Sequence, residues 1–261
     1  MRALNIGATG MLAQQTNVEV ISNNIANMNT TGFKRQRAEF GDLLYQNLRR
    51  SGSTSSQEGT VVPTGVQLGL GVRTMATYRI TTQGTMRITD NPLDVALNGE
   101  GYFSIELPGG ETGYTRAGAF QLSSTGTIVT PDGYTVQPGI TVPTDTLSIS
   151  INQNGEVSVR QPNSTTETVV GQLELALFPN EAGLEAIGSN IYKETVASGA
   201  PTTGAANTQG FGTILQGTLE ASNVNSVEEI TSLITAQRAY EMNSKVITSS
   251  DEMLRTITNL R

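Results

Sequence analysis

The chain has 261 residues, 36% of them hydrophobic, and a formal net charge of −7. The acidic balance argues against a general nucleic-acid binder, because such proteins neutralise phosphates with clustered lysine and arginine. Cysteine, histidine and tryptophan are all absent, which excludes disulfides, cysteine-based zinc sites and histidine-dependent catalysis.

The first predicted element is a helix from about residue 3 to Met28. Apolar residues recur along it at seven-residue spacing, which is typical of helices that pack against other helices. This first seam consists of Leu4, Met11, Val18 and Ile25. Between Arg2 and Lys34 only Glu19 is ionisable. Since a lone exposed helix normally carries charged pairs, we expect this helix to be buried among other helices.

The middle of the chain predicts a β-rich body. Residues 46–71 form a polar connector whose first part is predicted to be a loop or linker. From Val72 to Ile80 apolar and polar residues alternate, and short strands then follow, separated by Asn-Gly and Asp-Gly turns. Such turns predict antiparallel hairpins. We expect one further strand over Val169–Phe178 and a return loop over 198–213.

The last predicted element is a second long helix, which begins with a capping box formed by Ser226 and Glu229 and runs without glycine or proline to Leu260. Its seam consists of Leu233, Tyr240, Ile247 and Leu254, with a parallel row of Ala239, Val246, Met253 and Leu260. Long helices with so few apolar residues gain most of their stability from packing. We therefore expect them to be only partly formed in an isolated subunit.

These elements predict an α+β fold in which two discontinuous terminal helices, paired as in a coiled coil, bracket a mostly antiparallel β domain. We predict three domains. Residues 1–30 with 226–261 form an inner helical assembly domain, 31–71 with 209–225 a connector domain, and 72–208 a β-rich outer domain.

No residue pattern predicts catalysis, a cofactor or a metal. No histidine is present to activate a serine, and the glycine-rich segment 65–71 lacks the lysine of a phosphate loop. Two carboxylate pairs could in principle serve a glycosidase, but surface positions on hairpins explain them better. These pairs are Asp90 with Asp94 and Glu100 with Glu106.

The first ten residues do not form the continuous apolar region of a secretory signal, and no transmembrane run is present. The chain is therefore predicted to be cytoplasmic or exported by a route that does not read a cleavable signal. The triplet 163–165 fits the glycosylation pattern Asn-x-Ser/Thr, but nothing else in the sequence supports that modification.

The segment Ser22–Lys34 resembles the N-terminal signature of bacterial flagellar rod and hook proteins, and residues 223–245 resemble the C-terminal signature of the same axial family. The N-terminal residues that carry the resemblance are Asn23, Asn24, Ala26, Asn27, Gly32, Phe33 and Lys34. Those near the C-terminus are Asn223, Asn225, Gln237, Arg238, Tyr240, Glu241 and Asn243. Segments 94–103 and 114–120 are also similar, although Ala117 and Ala119 stand where Asp and Ser are common in the family.

Within the family the chain is most similar to distal rod subunits, since it is short for a hook protein and residues 45–63 resemble the insertion that sets the distal rod apart. The resemblance implies a structural subunit that self-assembles into a tubular drive shaft, transmits torque from motor to hook, and leaves a central export channel. It implies a location in the flagellar basal body, from periplasm to outer membrane, and export without a cleaved signal peptide.

The implied partners are further copies of the chain in a helical homopolymer, proximal rod proteins, the hook protein, the P- and L-ring proteins as a bushing, and the flagellar type III export apparatus. No nucleic acid, small-molecule substrate or cofactor is implied.

Three other interpretations remain open from the sequence. A proximal rod or hook-type axial subunit is the nearest. A secreted adhesin with a helical oligomerisation stalk would need exposed aromatic platforms, yet aromatic residues make up 5% of the chain. A β-fold hydrolase would need a cleft lined by carboxylates.

Overall fold

The computed structural model describes residues 2–52, 63–162, 166–208 and 210–259. The chain forms two compact units. The first, which we call the helical unit, contains Met1–Ile25, Gln36–Tyr78 and Ser226–Arg261. The second, the β unit, contains Ala26–Arg35 and Arg79–Asn225. The predicted α+β fold is confirmed, since two terminal helices bracket a mostly antiparallel β domain.

The helical unit contains helices α1 (Arg2–Ala26) and α2 (Ser226–Asn259). Both lie close to their predicted bounds, because the residues that end α1 and begin α2 are strong local signals. Leu260, the last residue of the predicted parallel row, lies outside the described residues. Among the described residues, neither helix is both long and apolar enough to cross a bilayer.

The connector also contains strands. In the helical unit β1 (Gln36–Asp42) pairs with β4 (Val72–Arg79), and β2 (Tyr45–Arg49) pairs antiparallel with β3 (Val66–Gly69). The prediction of a loop at the start of the connector is therefore wrong for residues 46–49. All five residues of β2 are exposed, so backbone pairing forms this hairpin without the one-sided burial that gives a strand its period of two. Much of the connector between β2 and β3, like the triplet 163–165, lies outside the described residues.

The β unit holds the remaining strands. They are β5 (Met86–Ile88), β6 (Val95–Asn98), β7 (Tyr102–Glu106), β8 (Thr112–Thr115), β9 (Gln121–Leu122), β10 (Ile128–Val129), β11 (Thr135–Val136), β12 (Ser148–Ile151), β13 (Glu156–Arg160), β14 (Thr168–Gln172), β15 (Glu174–Leu177), β16 (Glu185–Gly188), β17 (Ile191–Lys193), β18 (Thr202–Ala205), β19 (Thr213–Gln216) and β20 (Thr218–Glu220). A short 3-10 helix covers Glu181–Gly183.

The largest sheet of the β unit has the order β16-β17-β8-β7-β11-β10-β9, and β15 joins it by pairing with β7 and β18. A three-stranded sheet β12-β13-β14 and the pairs β19-β6 and β20-β5 complete the unit. The described pairings within the β unit are antiparallel, as the Asn-Gly and Asp-Gly turns predicted.

Two predictions in this unit are wrong. The single strand expected over 169–178 is two strands, because the chain leaves one sheet at Leu173, whose backbone N–H donates to Gly155 O (2.8 Å), and β15 then joins the largest sheet. The alternation of apolar residues continues across this break, so the sequence pattern does not reveal it. The return loop expected over 198–213 contains β18, which pairs with β15 along its whole length through backbone hydrogen bonds.

The core of the β unit lies between these sheets, and its largest fully buried side chains include Leu97, Phe103, Phe120, Leu175 and Ile214. Beside it is a smaller aromatic cluster. There the rings of Tyr102, Tyr114 and Tyr192 meet one another or Phe178 edge to face, with centroids 4.8–6.0 Å apart. Edge-to-face contacts of this kind favour one fixed packing over a fluid one.

Candidate assembly site

The two helices pack against each other antiparallel along a seam of small and polar residues. Gly7 faces Ile247, Gly10 faces Asn243, and Asn24 bonds Glu229, so residue numbers fall along α2 as they rise along α1. A Cβ atom at Gly10 would lie 2.9 Å from Asn243 Nδ2. Glycine at this position therefore lets the two helices approach more closely than any other residue would.

One end of this seam is fixed by a buried hydrogen-bond network. Asn24 is 1% exposed and its Nδ2 donates to Glu229 Oε2 (3.1 Å) and to Gln36 O (2.8 Å), while its Oδ1 accepts from Gln36 N (2.8 Å). One amide thus connects the end of α1, the start of β1 and the first turn of α2. Glu229, which the sequence assigns to the helix start, is itself buried.

The predicted seam residues are not the buried part of this contact, although Ile247 takes part in it opposite Gly7. Seven of the eight are half-buried, namely Leu4, Met11, Val18, Ile25, Leu233, Ile247 and Leu254, and Tyr240 is 43% exposed. The fully buried residues form a second track of Gly7, Ala13, Val20, Ile21 and Asn24 on α1 and Glu229, Ala236 and Ser250 on α2. Sequence reasoning missed this track, although Glu229, Ala236, Asn243 and Ser250 repeat every seven residues.

A set of larger apolar side chains on the helices points away from this contact and is exposed. On α1 it comprises Ile6 and Leu12, and on α2 Val227, Ile230, Ile234, Met242, Val246 and Met253. Their exposed fractions run from 42% at Ile6 to 72% at Val227. A concentration of exposed apolar side chains on two long helices marks an interaction surface, whereas single ones do not.

The β unit contains the second group of motif residues, around a buried ion cluster. Glu220 is 1% exposed; its Oε1 lies 2.7 Å from Lys34 Nζ and its Oε2 lies 2.7 Å from Arg116 Nε. Gly84 N also donates to Oε1 (2.8 Å). Arg116 uses its remaining donors on the carbonyls of Gly99, Gly101 and Leu97. The three charged groups are therefore well bonded, which buried ions require.

The charged groups in this cluster change one another's pKa values. Burial raises the pKa of the Glu220 carboxyl, but the nearby Arg116 and Lys34 cations more than compensate, so this pKa lies below its usual value of 4.5. Burial lowers the pKa of Lys34 below 10.5, against the opposing effect of Glu220. The carboxylate therefore stays ionised between its two cations, and burial makes the lysine lose its proton more easily than usual.

The turn that follows α1 is held by hydrogen bonds to Glu220 and Asn223. Gly32 N donates to Glu220 O (2.8 Å), and Asn223 Oδ1 accepts from Arg35 N (2.7 Å) while its Nδ2 donates to Ile80 O (2.9 Å). Gly32 has a φ of +69°, and a Cβ atom there would lie 2.9 Å from Ala117 N. The motif glycine therefore satisfies both a left-handed turn and a close backbone approach.

The other motif residues have varied positions. Asn27 and Phe33 are half-buried, and Asn27 Oδ1 accepts a hydrogen bond from Thr30 Oγ1 (3.2 Å). The exposed ones are Asn23, Ala26, Asn225, Gln237, Arg238 and Glu241. Sequence reasoning did not select Glu220 or Arg116 as site residues. Neither residue has a local sequence signal, because Glu220 lies 186 residues from Lys34 and 104 from Arg116.

Asp94, one of the carboxylates that could in principle serve a glycosidase, has a structural role. Asp94 accepts hydrogen bonds from Thr89 Oγ1 (2.7 Å) and Asn91 Nδ2 (2.9 Å), which stabilises the turn between β5 and β6. A cavity of about 500 Å³ is lined by Glu100 and Glu181, but Lys34 and Arg116 line it as well. Within the described ranges, no group of three or more acidic side chains could hold a metal ion.

Comparison with known proteins identifies the families whose sequences match this chain. Residues 4–34 match the family described as flagella basal body rod protein, residues 96–159 the flagellar hook protein FlgE/F/G D1 domain, and residues 215–260 the flagellar basal body rod FlgEFG protein C-terminal family. The chain is 60% identical to the flagellar basal-body rod protein FlgG of Caulobacter vibrioides over all of both chains. It is 48% identical to FlgG of Borreliella burgdorferi, over 100% of this chain and 99% of that one, and 41% identical to FlgG of Bacillus subtilis, with the same coverage.

Proposed function

Because the chain belongs to the FlgG family of flagellar basal-body rod proteins, we propose that identical subunits join into a helical polymer that forms the wall of the distal rod. The protein is a structural subunit of the distal rod, located in the flagellar basal body.

The exposed apolar surface of the helices carries this proposal. Val227, Ile230 and Ile234 follow one another on the outer side of α2, away from the contact with α1. Burying each such side chain between subunits is worth about 1.5–3 kcal/mol. A helix pair that uses small residues internally and displays large ones externally is suited to contact several neighbours at once.

The near absence of charge on α1 supports placing the helices inside the polymer. Glu19 is the only ionisable residue between Arg2 and the end of the helix, so lateral packing buries almost no charge. We infer that residues 1–30 and 226–261 form an inner tube around a central export channel. Residues 72–208 then form the outer wall, and 31–71 with 209–225 connect the two layers and help to transmit torque.

The partners follow from this position in the basal body. We infer contacts with proximal rod proteins on one side and the hook protein on the other. The P- and L-ring proteins surround the rod as a bushing between periplasm and outer membrane, and the flagellar type III apparatus exports the subunit. A non-enzymatic role is supported by the rod proteins that the chain resembles and by the turn-stabilising bonds of Asp94.

The test places charge on the apolar surface of α2. The double substitution Ile230→Lys with Ile234→Lys is expected to abolish rods in isolated basal bodies, because it would bury two ammonium groups between subunits. The matched control is Thr231→Lys with Thr235→Lys, which adds the same charges at the same spacing on two exposed positions of the same helix. Rods of normal length in the first variant would contradict the proposed role of this surface.

A further inference from the structure

A short loop of the β unit holds one apolar side chain fully in solvent. Val196 has a relative exposure of 104%, the highest of any large hydrophobic residue that the structure describes, and it lies at the tip of the loop 194–199, directly after β17. We call this segment the Val196 loop. A single exposed valine is ordinary on a protein surface. Val196 differs from an ordinary exposed valine in two respects. Hydrogen bonds hold its loop in place, and an apolar cleft lies at the other edge of the β unit.

The Val196 loop is held by its own hydrogen bonds. Thr195 Oγ1 donates to Gly183 O (2.7 Å), Asn180 Nδ2 donates to Ala197 O (2.9 Å), and the Oγ of the fully buried Ser198 donates to Thr195 O (2.8 Å). These bonds fix the loop at its base and across its tip. The valine is therefore presented without the entropy loss that ordering a flexible loop would add to binding.

A cleft with an uncharged, partly apolar lining, suited to an apolar side chain such as Val196, lies elsewhere in the β unit. Its volume is about 340 Å³, and none of its lining residues is charged. The apolar part of the lining includes Pro92, Leu122, Val142, Pro143, Leu147 and Ile149. Leu147 is 68% exposed and Leu122 42% exposed, so the cleft opens to solvent with apolar walls. We call it the Leu147 cleft.

The strand order separates the loop from the cleft. The Val196 loop follows β17, next to the edge strand β16, whereas Leu122 of the cleft belongs to β9 at the opposite edge of the sheet. Five strand spacings of about 4.8 Å lie between them, or about 24 Å along the sheet. Two complementary but different patches on opposite sides of a subunit generate a head-to-tail contact, which repeats without closing on itself in a helical filament.

We propose that the Val196 loop of one subunit inserts into the Leu147 cleft of the next copy of this chain, as the contact between outer domains in the polymer. The inference rests on the proposed homopolymer and specifies which surfaces of the β unit meet. The uncharged cleft matches the uncharged tip formed by Val196 and Ala197, whereas the exposed Glu194 lies at the start of the loop and must stay outside the cleft, where it remains solvated. The small residues Ala197 and Gly199 beside the valine allow close approach. The occupant is a second copy, because a repeating polymer brings the two edges of neighbouring sheets together.

Paired cysteines test the contact directly, since the chain has no cysteine of its own. The variant Val196→Cys with Leu147→Cys, oxidised in isolated basal bodies, is expected to give a ladder of disulfide-linked oligomers on a non-reducing gel. A disulfide needs Cβ atoms about 3.5–4.5 Å apart, so it reports only a close contact. Each single-cysteine variant is the control and can give dimers at most. Intact rods without a ladder would overturn the proposal.

A polar substitution measures what the contact contributes. Val196→Ser leaves the buried core untouched and is expected to weaken each contact about tenfold, the effect of losing one buried valine, which electron microscopy would show as fewer basal bodies with complete rods. Val169→Ser is the matched control at another exposed valine, and is expected to have no effect. If Val196→Ser assembles normally, this interface is wrong while the homopolymer stands. If the unsubstituted chain forms no polymer, the proposed function itself fails.

Discussion

Removing the carboxylate of Glu220 should destabilise the β unit more than an average core substitution does. Glu220→Ala leaves Lys34 and Arg116 without their anion, and these side chains are only 3% and 6% exposed. Because both side chains are almost fully buried, water replaces little of the lost Coulomb energy. Breaking a buried ion pair in this way typically costs about 3–5 kcal/mol.

Glu220→Gln should lower the free energy of unfolding by less than Glu220→Ala does. Glu220→Gln keeps the shape of the side chain and an oxygen that can accept from Gly84 N, so it removes charge with little loss of packing. In the Glu220→Gln background, Lys34→Met removes the uncompensated ammonium and should restore part of the lost stability. The two single variants and the double variant form a cycle whose coupling energy measures the ion pair itself.

The assay is urea unfolding of the full-length chain, followed by tyrosine fluorescence because tryptophan is absent. The aromatic cluster of Tyr102, Tyr114 and Tyr192 lies in the β unit and reports its unfolding. A loss below about 1 kcal/mol in Glu220→Ala, comparable to exposed pairs, would refute the reasoning. It would mean that Lys34 and Arg116 are solvated by other means. The exposed pair of Lys193 with Glu111 (2.7 Å) is the internal reference, and Glu111→Ala should have little effect.

Two further predictions concern pH and helix pairing. Since the pKa of Glu220 lies below 4.5 in the folded chain, its contribution to stability is complete above pH 4.5 and is lost as pH falls from there through the lower folded pKa. The urea midpoints of the unsubstituted chain and of Glu220→Gln should therefore converge on acidification. A constant difference between the two midpoints would contradict the lowered pKa of Glu220. Gly10→Val should separate α1 from α2, because its Cβ alone would lie 2.9 Å from Asn243 Nδ2. Circular dichroism of the free subunit should then show reduced helicity, whereas Ser22→Val, which places the same residue at an exposed position of α1, should have a much smaller effect.

The elements that the sequence predicted correctly are those with local signals. The start of α2 at Ser226, the strand that begins at Val72 and the turns before β13 and β11 depend on residues a few positions apart. Each of these signals survives in the structure because no distant contact opposes it. The family motifs then located the segments around Asn24 and Asn223 that form the buried bonds.

The features that sequence reasoning missed depend on distant partners. Glu220 is 186 residues from Lys34 and 104 from Arg116, so nothing near it in the chain shows that a glutamate is to be buried there. The split between β14 and β15 has the same origin, since β15 pairs with β7 and β18 and not with its neighbour in sequence. A strand pattern shows which residues face inward but not which sheet they join.

The use of small residues in the internal helix contact bears on how the polymer grows. If α1 and α2 met through Val227, Ile230 and Ile234, folding of one subunit would bury the apolar surface that neighbours need in the proposed polymer. Gly7, Gly10 and Ala236 instead allow a close contact that leaves these three side chains exposed. In the proposed polymer, the free energy of burying them is released only when neighbours cover them. The β unit is held by its own buried ions and aromatic cluster, so we expect growth of the rod to couple to the helices and to leave the β unit unchanged.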